Sequence, residues 1–206
     1  MDLMLPVVLG VIAIRIASGI RAAMRREFVN SYAFPAGVQQ RLRKAHPRYT
    51  AAQIADVIGG LRDWFLVAQR AKRRPVSMPS RIVDDAWHEF IIDTRAYREF
   101  CRRAFGHPFD HVPAEAMRSP LQAQEGIRRA WRLACALEWL DARRPTRLPR
   151  LFALDARLAV PGGFVYAIDC MRGELAPHCA SAIGCTSGCG SGCGGDGGCG
   201  GGCGGD

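Results

Sequence analysis

Residues 83–113 read VDDAWHEFIIDTRAYREFCRRAFGHPFDHVP, and the apolar positions in this stretch recur with the period of a helix rather than a strand. Val83, Ala86, Trp87, Phe90 and Ile91 fall at i, i+3, i+4, i+7 and i+8, which places them on one helical face. Tyr97, Phe100, Cys101, Ala104 and Phe105 repeat the pattern. The stretch therefore predicts two consecutive amphipathic helices. Ser80 is placed to cap the first by accepting a backbone N–H bond. Asp93 or Thr94 is expected to cap the second, and Gly106 to end it in the left-handed conformation. Pro108 and Pro113 predict a fixed, non-helical loop after it.

The same period recurs on both sides. Residues 37–44 predict a short helix that Pro47 ends. Thr50 is expected to cap a long one whose core face is Ile54, Val57, Ile58, Leu61, Phe65 and Ala68. Gly59 and Gly60 weaken that helix locally and permit close approach of another. Trp64 reads as packed. Lys72, Arg73 and Arg74 complement the helix C-terminus. Ser119-Pro120 opens another long helix, to about Leu140, with Ala130, Trp131, Ala134 and Leu137 along one side and Cys135 as a small buried residue. Residues 148–158 fit one more short helix, and residues 164–168 a short extended piece. No series of alternating strands is present. The expectation is an all-α fold, four to five helices packed antiparallel through short connections. An apolar N-terminal helix precedes them and a disordered Cys/Gly-rich tail follows. The boundaries are 1–26 for the N-terminal helix, 27–170 for the helical domain and 171–206 for the tail.

Functional-group side chains concentrate in the central stretch. It holds three of the five histidines. Asp84 and His88 are four residues apart, so their side chains are neighbours at the edge of the apolar face. A half-buried histidine beside a carboxylate is fixed in one tautomer. His107 and His111 follow in the loop. The candidate polar site is Asp84, His88, Cys101 and His111, with Trp87, Tyr97, Gly106 and Pro113 as its structural frame. Whether His111 returns towards His88 is open at this level.

Asp84, Trp87, His88, Asp93, Thr94, Tyr97, Cys101, Gly106, His111 and Pro113 resemble the signature of the glycine-rich domain-containing protein-like family. That family occurs in bacteria and plants, and its activity is largely undefined. Phe90 stands where its pattern often has a second histidine. The resemblance covers about a third of the chain.

Residues 3–20 form an apolar run with one charge, Arg15, close to the lower length limit of a spanning helix. Arg21, Arg25 and Arg26 follow it, and no basic residue precedes it. The positive-inside rule then puts the domain on the cytoplasmic face of a membrane, or in the cytoplasm if the helix does not span. A core helix and an amphipathic helix lying on the membrane surface are the other readings. The net charge of +9 comes from 28 basic residues, of which Lys44 and Lys72 are the lysines. This arginine bias suits a GC-rich coding background. No nucleic-acid motif accompanies it, so nucleic acid is not expected as a partner. Anionic lipid remains open.

In the tail, Cys179, Cys185, Cys189, Cys193, Cys199 and Cys203 are separated mostly by glycine and serine. None has the two-residue spacing of zinc knuckles. A flexible thiolate chain can still bind zinc or another soft metal, or form disulfides in an oxidising compartment. No P-loop, dinucleotide fingerprint or serine nucleophile motif is present. The favoured reading is therefore a non-enzymatic interaction or scaffold module, tethered to a membrane and presenting its tail to a protein partner. The alternative is a metal-dependent or histidine-dependent site on the central motif.

Overall fold

A computed structural model describes residues 4–111, 120–168, 178–179 and 183. The chain is all-α: α1 (Met4–Ser31), α2 (Ala36–Ala45), α3 (Ala51–Ala71), α4 (Arg81–Ile92), α5 (Thr94–Ala104), α6 (Pro120–Leu137) and α7 (Arg150–Arg157). Two short strands, β1 (Tyr166–Ala167) and β2 (His178–Cys179), pair in parallel. Six helices follow α1 where four to five were expected; the short α2 and α7 make up the difference.

The central helix is α3. Its expected face of Ile54, Val57, Ile58, Leu61, Phe65 and Ala68 is buried, and so are Trp64, Leu66, Val67 and Ala71. A helix buried nearly all round has neighbours on every side, and α1, α2, α4, α6 and α7 all pack on α3. Gly60 permits two of these approaches, since a Cβ there would collide with Leu154 of α7 and Val83 of α4. Thr50 caps α3 in a reciprocal capping box with Gln53. An aromatic cluster of Phe34, Phe65, Phe90 and Phe100 fills the space between the elements, with the Phe65 and Phe100 rings 4.6 Å apart.

One helix serves both the apolar run and the domain. No glycine or proline interrupts residues 20–31, so α1 continues through residue 26 to Ser31. Its C-terminal turns dock: Val29 is fully buried and Phe28 packs on Phe100. Arg62 of α3 donates to the carbonyls of Val29 at 3.0 Å and Tyr32 at 3.1 Å, satisfying acceptors that the helix end leaves free. Gln69 donates to the Arg25 carbonyl at 3.2 Å and the Ala104 carbonyl at 2.8 Å, tying α1, α3 and α5 together. The N-terminal turns are open to solvent among the described residues: Val7, Ile14 and Ile20 are 58%, 67% and 56% exposed. Residues 7–31 are long and apolar enough to cross a membrane, and none of the apolar window is buried.

A buried carboxylate on α7 fixes the start of α4. Asp155 is 2% exposed. It accepts from the Ser80 hydroxyl at 2.7 Å, from the N–H groups of Arg81 and Ile82 at 2.7 and 3.2 Å, and from the Phe164 N–H at 2.9 Å. Ser80 itself caps α4 by accepting from the Val83 N–H. A negative charge on these free N–H groups is favoured by the helix dipole as well. Asp93 occupies the position before α5 as expected, but its side chain makes no capping bond. The tail cysteines Cys185, Cys189, Cys193, Cys199 and Cys203 lie outside the described residues, as does Pro113, and for Cys179 the backbone alone is described.

Candidate metal centre

Asp84 and His88 occupy successive turns of α4, at the rim of the face that buries Val83, Ala86, Trp87 and Phe90. His111 arrives from the loop after α5. The turn begins at Gly106, whose φ of +76° suits a residue without Cβ. Its N–H bonds to the carbonyls of Cys101 and Arg102, ending α5 as expected. The loop is then pinned to α4. Trp87 donates from its indole Nε1 to the Tyr97 hydroxyl at 3.1 Å, and that hydroxyl donates to the Phe109 carbonyl. The Phe109 ring stacks on Trp87 with centroids 5.2 Å apart, and the His111 ring meets Trp87 edge-on at 4.6 Å. Burial, above all, raises the Tyr97 hydroxyl pKa, so it stays protonated and able to donate.

The result is a three-residue constellation. His111 Nε2 lies 2.9 Å from Asp84 Oδ1, and His88 Nδ1 lies 3.7 Å from Asp84 Oδ2. The two imidazole centroids are 4.3 Å apart. One ligand atom from each residue falls within 4.8 Å of the others. Two metal–nitrogen bonds of about 2.1 Å span roughly 3.4 Å at a tetrahedral angle and about 4.2 Å at most. The set is therefore within a small side-chain rotation of a shared ion. His88 can make that rotation, because its side chain is 51% exposed.

The exposure of His88 corrects the structural expectation. A half-buried histidine satisfied by Asp84 was anticipated at position 88. Instead His111 is the sheltered, hydrogen-bonded partner, with a side chain 16% exposed, and His88 faces solvent. The reason lies in the loop, which covers Asp84 from the His111 side and leaves the outer side open. Cys101 does not join the group. It is 3% exposed in the core beneath Tyr97 and Phe109, and burial pushes its thiol pKa up. His107 lies along the loop beside Phe105, with its Nδ1 against the Pro108 carbonyl. Cys135 is fully buried on α6, its thiol pKa pushed up to about 12 mainly by burial.

The constellation opens into a cleft of about 2050 Å³. Ser18 to Arg26 of α1 contribute to one wall, Trp64 and the C-terminal end of α3 to another, and α4, the His111 loop and α6 to the rest. Trp64 is 2% exposed, and its indole Nε1 has no hydrogen-bond partner among the described residues. Sequence reasoning missed this cleft. It assigned Lys72, Arg73 and Arg74 to the helix dipole and Arg21, Arg25 and Arg26 to topology. Lys72, Arg73 and Arg74 follow the end of α3, Arg21, Arg25 and Arg26 lie along α1, and the two segments line the same space.

The chain matches one family over residues 24–188, the UCP032817-like family. This overturns the resemblance to the glycine-rich domain-containing protein-like family, which no finding supports. The residues that suggested it are accounted for by local roles: Trp87, Tyr97 and Gly106 shape the loop that carries His111. No curated protein and no solved structure matches the chain.

Proposed function

The chain belongs to the UCP032817-like family, an uncharacterised family with a helical fold, and we propose that its domain binds one divalent transition metal ion through Asp84, His88 and His111. The observation that carries this reading is the convergence of His111 on the Asp84–His88 turn, with all three ligand atoms within 4.8 Å. Two imidazoles and one carboxylate suit zinc, iron or nickel more than calcium or magnesium. Three protein ligands leave coordination positions free, which is the pattern of reactive rather than structural sites. Those positions would face the cleft, where a metal could polarise a bound oxygen or activate a water. The second part of the proposal is that α1 holds this domain against a membrane. It rests on an apolar helix whose exposed turns run directly into a docked C-terminal end. A pure scaffold role would not need the loop clamp that brings His111 to Asp84.

The test uses the full chain with Cys170, Cys179, Cys185, Cys189, Cys193, Cys199 and Cys203 changed to Ser, so that no tail thiol competes. Bound metal stabilises the folded state in proportion to the logarithm of its concentration. Melting should rise with zinc and saturate. His88→Ala and His111→Ala should each abolish the rise. A rise that survives in both variants would place the metal elsewhere and sink the proposal.

A further inference from the structure

From the cleft's charge and its position, we infer that it receives the phosphate headgroup of an anionic membrane lipid and holds that group next to Asp84, His88 and His111. This rests on the metal and membrane readings above and adds the ligand class.

Three observations support it. The first is charge. Arg21, Arg25 and Arg26 of α1, Arg70 and Arg74 at the end of α3, and Arg128 of α6 all line the cleft. Among the described residues, none of these six forms an ion pair with a carboxylate. Arg70 is held below its ordinary pKa, first by burial and then by the like charge of Arg26. Several guanidinium groups lining one cleft without a carboxylate counter-ion suit an anion, and arginine's planar fork matches phosphate oxygens.

The second observation is position. Ser18 and Gly19, at the end of the exposed apolar turns of α1, line the same cleft as His88 and His111. If the apolar turns lie in a membrane, the cleft opens at the level of the headgroups. A lipid could then keep its chains in the bilayer while its phosphate reaches the arginines. Basic residues next to a membrane helix attract anionic lipid by about 1 kcal/mol each. A soluble phosphate compound would gain nothing from this placement.

The third is the link between cationic wall and metal constellation. A Cβ at Gly106 would collide with the guanidinium of Arg25. Arg25 therefore lies over the start of the loop that presents His111. Trp64, whose buried indole N–H has no hydrogen-bond partner among the described residues, also lines the cleft.

The experiment is lipid retention by the full chain in non-ionic detergent, read by native mass spectrometry. Phosphatidylglycerol should be retained at least about tenfold better than phosphatidylcholine. Arg26→Gln with Arg70→Gln should reduce phosphatidylglycerol retention by about tenfold or more. Arg95→Gln with Arg98→Gln, which removes the same charge outside the cleft, should leave it unchanged. Arg21→Gln with Arg128→Gln repeats the reading should the first pair alter folding. Equal losses from the cleft pair and the outside pair would show attraction by net charge alone and overturn the inference. So would a melting shift from millimolar inorganic phosphate equal to that from phosphatidylglycerol, which would assign the cleft to soluble phosphate. Metal content measured on the same preparations, made with the seven tail cysteines changed to Ser as above, separates the two proposals. Lipid selectivity with no bound metal keeps the lipid site and sinks the metal centre. Stoichiometric metal without lipid selectivity does the reverse.

Discussion

Two aspartates serve the same helix, and they differ in how completely their oxygens are used. Asp155 approaches the start of α4 from α7 and is 2% exposed, with four hydrogen-bond donors on its two oxygens. Asp84 lies one turn into α4 with a side chain 30% exposed; His111 is its close partner at 2.9 Å and His88 stands off at 3.7 Å. A saturated, buried carboxylate has no lone pair left for a ligand, and its role is to hold α4 in place. An open carboxylate flanked by two imidazoles has lone pairs to offer. The number of donors already satisfied, more than the residue type, separates structural from ligand-binding acid here.

That comparison can be broken by mutation. Asp155→Ala leaves buried N–H groups without acceptors and should cost about 4 kcal/mol of stability in denaturant unfolding. Asp84→Ala removes a half-exposed side chain and should cost less than about 1 kcal/mol, while abolishing the zinc-dependent rise in melting. Similar stability losses for both variants would erase the distinction. Trp87→Ala should cost about 3–5 kcal/mol, the usual penalty for emptying a buried aromatic site. It should also weaken metal binding, because Phe109 and His111 lose the surface they rest on. A loss under about 1 kcal/mol would contradict the observed packing.

A smaller change sharpens the point. Tyr97→Phe keeps the ring but leaves the Trp87 indole N–H and the Phe109 carbonyl unpaired. It should cost about 2 kcal/mol and weaken zinc binding by about tenfold, as loss of an orienting partner does. Unchanged affinity, measured by competition with a chromophoric chelator, would mean that the hydroxyl does not position His111.

The sequence displayed the helices and the i, i+4 relation well and the return of the loop poorly. Val83, Ala86, Trp87 and Phe90 are buried on one face as their spacing requires, and Thr50, Ser80 and Gly106 perform the capping and turning roles their chemistry suits. These are local rules, satisfied within a few residues. The place of His111 depends on Trp87 bonding Tyr97 and Tyr97 bonding the Phe109 backbone. That chain of contacts has no periodic trace. Asp155 was illegible for the same reason: its partners at residues 80–82 are more than seventy positions away, and nothing in the short α7 marks it as a cap. Cys101 looked available because periodicity cannot tell a core thiol from a ligand; burial under Tyr97 and Phe109 decides it.

X-ray absorption at the zinc edge tests the central claim most directly, using the full chain with its tail cysteines changed to Ser and one equivalent of zinc added. The account predicts a first shell of nitrogen and oxygen alone at about 2.0–2.1 Å, with the outer scattering of two imidazoles, and its loss in His111→Ala. Sulfur at about 2.3 Å, or a zinc spectrum that His111→Ala leaves unchanged, would contradict it.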